Sequence, residues 1–289
     1  MATIYFDCSS GVSSDMLLGA LIHLGAEADV VSSELRGLRP SAERAGIALG
    51  EFRLRVRTAG RQGVTGYNAA IEVAGGGHLH VAGGGHGATQ AGGGYGGGAR
   101  PHSDGHSSGG GHSHGHTPYL GIREAIDGAD IGARAKRYAQ AAYLAIAKAE
   151  AAAHGTTIDE VHFHEVGSPR TLYAIVASAI AAALVEERFG VVGFTCGAIT
   201  DGSGTVECSH GIIPVPVPAV RELLKQTDIP LNSDPSINTE MVTPSGLGLL
   251  IGLGCRFGAE PEARSAQREG YGFGTRDTGL LGAVRAVLG

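Results

Sequence analysis

The chain of 289 residues holds 22 Lys and Arg against 28 Asp and Glu, a net charge of -6 and a pI near 6.1, which argues against a nucleic-acid surface because phosphate backbones call for clustered basic side chains. Its opening shows no basic segment running into a long apolar stretch, and no window approaches ~18 uninterrupted apolar residues. Export and membrane insertion are therefore not expected, and a cytoplasmic location is.

In chain order, a short strand Thr3–Phe6 is followed by a polar turn and a helix from about Asp15 to Leu24, stopped by Gly25. Phe52–Arg57 alternates apolar with basic residues, the period of a half-buried strand, and Asn68–Val73 can pair with it. Residues 75–116 hold eight of the 13 histidines and much of the glycine, with too few large apolar side chains to offset the entropy of ordering. They read as a flexible loop between an N-terminal α/β lobe (1–74) and a main lobe (117–289). Beyond it, Arg134–His154 has helical spacing and Gly155 as its stop. Val161–His164 reads as a strand feeding a helix from Pro169 to Arg188, Val191–Ile199 and Thr205–Cys208 as strands, and Pro218–Lys225 and Pro244–Leu253 as helices. Interleaved strands and helices predict an α/β or α+β fold, a mixed sheet with helices packed on it. The four cysteines are far apart without a CxxC pair and read as reduced thiols.

Four polar stretches carry candidate chemistry. In Val161–Gly167, strand alternation puts His162 and His164 on one face, where they can share a metal or else be one backbone-bonded and one solvated imidazole; Glu165 adds an oxygen ligand or a general base. The stretch from Gly202 to Ala219 sets His210 and Gly211 before alternating prolines, either a rigidly held imidazole or simply a stiffened loop. Thr243, Pro244 and Ser245 form a helix start, a plain cap or an anion site. The turn Asp7–Asp15, containing Ser10, Gly11 and Ser13, can take an anion through amides and hydroxyls or a cation through its carboxylates. All four precede predicted helices, so several helix starts can face one crevice that would suit a nucleotide-like anion beside a metal. His112, His114 and His116, within the glycine-rich loop, are a solvated linker or a flexible chelator of nickel, copper or zinc.

Taken together, DCSSGVSSDMLLGALIHLG, AEAAAHGTTIDEVHFHEVG, GSGTVECSHGIIPVPVPA, EMVTPSGLGLL and GYGFGTRD resemble the LarC family, the nickel-insertion proteins of nickel-pincer cofactor biosynthesis, in the family's order and across nearly the whole chain. The resemblance implies a nickel chelatase or cyclometallase of the lyase class. It would insert Ni(2+) into pyridinium-3,5-bisthiocarboxylic acid mononucleotide with CTP, forming two Ni–S bonds and one Ni–C bond. It implies His162, His164 and His210, with His112, His114 and His116, as nickel ligands. Glu165, with His164 and Asp15, takes the catalytic role, and Ser10, Gly11, Ser13, His210, Gly211, Thr243 and Ser245 hold the mononucleotide. Full-length relatives carry a further C-terminal domain associated with CTP, its Mg(2+) or Mn(2+), and oligomer formation. A separate partner chain is thus expected to supply it, and a homo-oligomer is expected.

The chain departs from the family pattern where acidic residues usually follow HFHEVG: Arg170 and Ala174 stand there, one helical turn apart, and Ser14 and Ala177 replace glycines. Two other functions remain open at the level of sequence, a nickel store or metallochaperone and a diverged paralogue with another small-molecule substrate.

Overall fold

A computed structural model describes residues 2–74, 117–208, 211–258 and 266–289. The expected loop 75–116 with His112, His114 and His116, and the turn carrying His210, lie outside the described residues. Strand β1 (Ala2–Cys8) leads into α1 (Ser14–Leu24), α2 (Ala28–Leu35), α3 (Leu38–Arg44) and the hairpin of β2 (Phe52–Arg61) and β3 (Val64–Val73). Next come β4 (Thr117–Pro118), α4 (Tyr119–Asp127), α5 (Ala133–His154), a 3-10 turn (Ile158–Glu160), β5 (His162–Phe163) and α6 (Pro169–Phe189). The remainder is β6 (Val191–Asp201), β7 (Thr205–Cys208), β8 (Gly211–Pro214), α7 (Pro218–Lys225), β9 (Leu231–Ser233), α8 (Pro244–Gly252), β10 (Arg256–Phe257), β11 (Arg268–Phe273) and β12 (Ala283–Leu288).

The helix boundaries follow from local chemistry. Ser13, Ser168 and Thr243 are each in extended conformation and accept a first-turn amide on the side-chain oxygen, satisfying a donor that the helix cannot. Pro169, Pro218 and Pro244 occupy first helical positions, where a missing N–H costs nothing. Gly155 closes α5 with φ of 67°, a left-handed conformation that glycine adopts without a steric penalty.

The main sheet runs in the order β10-β6-β1-β12-β11-β3-β2, with β9 also paired to β6. It is mixed, as the sequence predicts: β1 is parallel to β6 and antiparallel to β12. Strands from before residue 74 and from after residue 117 share it. Along β1 and β12 buried residues alternate with half-buried ones, the pattern of a sheet with one face packed on the core. Helix α1 packs on β11, β3 and β12, burying Leu17, Leu18, Leu21 and Leu24 completely. Each such side chain contributes roughly 1.5–3 kcal/mol of apolar burial.

Glycines permit this close approach. A methyl group on Gly272 would lie inside the carbonyl of Met16, and one on Gly270 against the backbone of Ala20 and Leu24. The GYGFGTRD stretch is thus the seat of α1. Helix α5 packs on α6, α7 and α8, and Gly252 brings α8 against α5, where an added Cβ would be 2.5 Å from the Ala142 amide nitrogen. Helices α2, α3 and α4 and the C-terminal strands are absent from the sequence reading, and β5 is two residues long rather than four.

Gly272→Ala is expected to destabilise the protein by about 1–3 kcal/mol, because the clash is with backbone and the helix itself must shift. Gly193→Ala, at a position with nothing within 4 Å of the new methyl, should be near neutral. Urea unfolding of the two variants checks the difference.

Candidate functional site

Strands β1 and β6 are adjacent and parallel, yet the chain leaves them in opposite directions. After β1 it crosses to the β12 side, where α1 packs; after β6 it returns through β9 and β10, both paired to the other edge of β6. Beyond the carboxyl ends of two such strands is the usual place for a ligand in an open α/β sheet. The turn Ser9–Ser13 follows β1 and the turn starting at Gly202 follows β6.

A third segment closes over these turns. Val12 and Val242 form a parallel bridge: the Val12 amide donates to the Met241 carbonyl at 2.9 Å, and the Thr243 amide to the Val12 carbonyl at 3.0 Å. Gly11, at φ of 86°, turns here, and an added methyl on Gly246 would lie 2.6 Å from the Val12 oxygen. The starts of α1 and α8 are therefore side by side, with Ser245 Oγ donating to Ser14 Oγ at 3.3 Å. The start of α6 joins them, since Arg170 in its first turn forms an ion pair with Asp15 in the first turn of α1. Ser178, further along α6, donates to the Ser14 carbonyl at 3.0 Å.

The turn after β1, the segment before α8 and the start of α6, which follows the stretch 161–167, thus meet. Ser10, Ser13 and Thr243 are half-buried at the junction, while Gly11, Ser14 and Ser245 are buried. Three helix starts with their aligned peptide dipoles, and the Arg170 guanidinium, make an electropositive corner suited to an anion. Asp15 tempers it: burial raises its carboxyl above the ordinary range, and Arg170 pulls it back. Among the described residues, the Gly202–Ala219 stretch joins them at its base. There Asp201, at 0% exposure, accepts the amides of Gly202, Met241 and Val242 on Oδ1 at 2.9, 2.8 and 3.1 Å. Its continuation is the β7–β8 hairpin, with Gly211 exposed, and α7 begins beyond that.

Glu240 and Arg276 complete this wall. Arg276 donates to the Glu240 carbonyl at 2.6 Å and lies 3.8 Å from its carboxylate, whose side chain is 12% exposed. Burial, aided by the charges of Asp201 and Glu165, pushes the Glu240 carboxyl up to about 7, although Arg276 opposes the shift. Asp201, Glu240 and Arg276 are not among the site residues expected from the sequence. The signal available for two of them is their place inside EMVTPSG and GYGFGTRD.

On the strand side, alternation holds: Val161 and Phe163 are buried, at 2% and 1%, and His162 and His164 are exposed. The His162 Nδ1 lies 2.8 Å from the Glu160 carbonyl, which engages that nitrogen with backbone. His164 lies beside a residue absent from the predicted set, His154, with ring centroids 6.2 Å apart. His154 Nε2 is in turn 3.5 Å from Glu150 Oε2. Among the described residues no three His, Cys, Asp or Glu side chains stand together as a ready metal cage.

Fold and crevice define the class, an α/β protein with three helix starts gathered at the carboxyl end of a mixed sheet. A family model described as nickel insertion protein matches residues 4–289, and the chain belongs to that family. It is 35% identical over 288 residues to a pyridinium-3,5-bisthiocarboxylic acid mononucleotide nickel insertion protein of Lactiplantibacillus plantarum, covering 100% of this chain and 61% of the relative. A protein of the same description in Acetivibrio thermocellus is 33% identical over 291 residues, covering 100% and 60%. Another, in Staphylococcus epidermidis, is 30% identical over 284 residues, covering 98% and 58%. The chain spans about six tenths of the length of these relatives. No solved structure matches it. Among the described residues no helix is long and apolar enough to cross a membrane.

A carboxyl raised from its ordinary value of 4.5 to about 7 binds its proton more tightly in the folded state. Its stabilising contribution is therefore full below about pH 4.5 and lost as pH rises to about 7. Glu240→Gln, an uncharged isostere, should be more stable than the parent at pH 8 by roughly 1–3 kcal/mol and gain little at pH 5. Urea denaturation at the two pH values reads the difference.

Proposed function

We propose that this chain inserts nickel into pyridinium-3,5-bisthiocarboxylic acid mononucleotide, as the names of its relatives describe for them. The observation that carries this reading is the meeting of three helix starts and Arg170, with His162 and His164 on the segment that leads into one of those helices. The substrate pair brings a phosphomonoester and a divalent cation; an electropositive corner suits the first and imidazole nitrogens the second. Nickel here is a substrate, delivered as Ni(2+) and leaving in the product.

In this reading Ser10, Gly11, Ser13, Thr243 and Ser245 hold the phosphate, and Asp15 holds Arg170 towards it. His210 and Gly211 take part in binding the mononucleotide, and His162, His164 and His210 hand over the ion, fed by His112, His114 and His116. Two Ni–S bonds and one Ni–C bond form without change of nickel oxidation state, and the proton displaced from the ring carbon passes to Glu165. CTP with Mg(2+) or Mn(2+) is assigned to a C-terminal domain on a separate partner chain. A homo-oligomer in a cytoplasmic setting completes the proposal. The two-lobe division at residues 75–116 is retained as part of it.

A second reading, nickel storage, draws on the eight histidines of residues 75–116. Anaerobic incubation with nickel, CTP and the bisthiocarboxylate precursor, with and without the candidate partner, separates the two by mass detection of the nickel product. Insertion predicts product, and its absence in every combination sinks insertion. Glu165→Gln should bind nickel as the parent does while product formation falls by about 10²-fold or more. Turnover at the parental rate would remove Glu165 from the chemistry.

A further inference from the structure

Residues 274–282 form the turn between β11 and β12. Because β11 and β1 are both antiparallel to β12, this turn leaves the sheet at the same end as Ser9–Ser13. Its backbone is fastened from the β2–β3 hairpin: Asn68 Nδ2 donates to the Phe273 carbonyl at 2.8 Å, Arg61 Nη1 to the Arg276 carbonyl at 3.2 Å, and Gln62 Nε2 to the Gly279 carbonyl at 3.2 Å. Arg276 is carried on that fastened turn with its side chain 49% exposed. Among the described residues its guanidinium makes its hydrogen bonds and its ion pair through Nη1 alone, which donates to the Glu240 carbonyl at 2.6 Å and to Thr239 Oγ1 at 3.4 Å and lies 3.8 Å from the Glu240 carboxylate. The next carbonyl along, that of Met241, receives the Val12 amide, so Arg276 is anchored beside the bridge that joins the starts of α1 and α8.

In a planar guanidinium Nε–H and Nη2 lie on one edge, and in Arg276 that edge is left over as a two-donor fork. Such a fork matches the two acceptor atoms of a carboxylate, and within this protein Arg285 uses the same two nitrogens on Glu269, Nε at 3.2 Å from Oε2 and Nη2 on Oε1. The mononucleotide named for the relatives carries two thiocarboxylic acid groups besides its phosphate, and the helix starts with Arg170 answer only one kind of anion. We propose that Arg276 is a specificity-determining residue, its Nε–Nη2 edge taking one acid group of the heterocycle while the helix starts take the phosphate. The charge of Arg276 is only partly offset near neutrality, since burial raises the Glu240 carboxyl to about 7. The inference rests on the proposed substrate, but it concerns recognition of the ring acids, which is measurable without nickel or turnover.

The competing account is structural: Arg276 pins the 239–241 segment through Nη1 and leaves its other edge to water. Two ligands separate the accounts, a pyridinium mononucleotide bearing carboxylates at ring positions 3 and 5 and the same mononucleotide with an unsubstituted ring. Each is titrated calorimetrically into the metal-free full chain at pH 7.5. The parent should bind the dicarboxylate more tightly by about tenfold or more, and Arg276→Gln should lose about that factor for the dicarboxylate and less than about twofold for the unsubstituted ligand. Arg276→Lys, which keeps the charge but not the fork, should also lose affinity for the dicarboxylate alone. Arg170→Gln should weaken both ligands alike, since both carry the phosphate. Equal losses for the two ligands in Arg276→Gln, no preference of the parent for the dicarboxylate, or no binding of either ligand by the parent would overturn the proposal. If Arg276→Gln unfolds, shown by circular dichroism, the Arg276 Nε–H resonance of the parent decides instead: it should shift with the dicarboxylate and not with the unsubstituted ligand, and any other pattern overturns the assignment. Selective loss in a protein that never forms the nickel product would leave this inference standing and refute insertion, whereas product formation with an unchanged ligand preference in Arg276→Gln would do the reverse.

Discussion

The bridge between Val12 and Val242 is the constraint from which the rest of the crevice follows. Its two hydrogen bonds tie the turn after β1 to the segment before α8, so that two helices distant in sequence begin side by side. Such an approach is possible only because Gly11 and Gly246 carry no Cβ at the point of contact. Gathering like-signed helix ends is unfavourable by itself, each end behaving as about half a positive charge. Within the protein the Asp15 carboxylate offsets part of that field, and Arg170 in turn occupies Asp15. A bound anion would relieve what is left.

Asp201 performs the matching task on the β6 side. Its Oδ1 gathers three backbone amides from two segments, an arrangement that only an acceptor with several lone pairs can make, and thereby fixes the 240–242 turn from which Glu240 and Thr243 project. Glu240 is consequently held among carboxylates with Arg276 as its counter-charge, and it gains a proton affinity unusual for a glutamate. Helix starts with Arg170 gather after β1, and the Asp201 and Glu240 carboxylates with Arg276 gather after β6. The Arg170 departure from the family pattern thus has a structural role, whereas Ala174 is fully buried in the α6 interface.

Elements whose limits are written in local chemistry were legible in the sequence. Helix α1 between Ser13 and Gly25, α5 up to Gly155, α6 from Pro169 and α7 from Pro218 all follow from caps, prolines and glycine stops. The strand alternation of residues 161–164 also told which side chains face out, although only two of those residues pair with β4. Helices α2 and α3 escaped because they are 8 and 7 residues long and neither has a side-chain cap. Strand β11 escaped for another reason: its glycines, poor strand formers on propensity, are there to receive α1, a tertiary demand that no local pattern reveals. At the site, loops before helices could be read from spacing, and their convergence depended on the Val12–Val242 bridge. The nearness of His154 to His164 arises from packing between α5 and a short irregular segment, and the nine intervening residues gave no periodic signal of it.

The central claim is that the starts of α1, α6 and α8 form one phosphate-receiving corner. Backbone amide NMR of the full chain titrated with a pyridinium mononucleotide, and separately with the same compound lacking phosphate, examines it most directly. The mononucleotide should shift the amides of Ser10–Asp15, Arg170 and Ser245–Gly246 together with one affinity, and the dephosphorylated compound should leave them in place. Equal shifts with both compounds, or shifts confined to other parts of the molecule, would contradict the account.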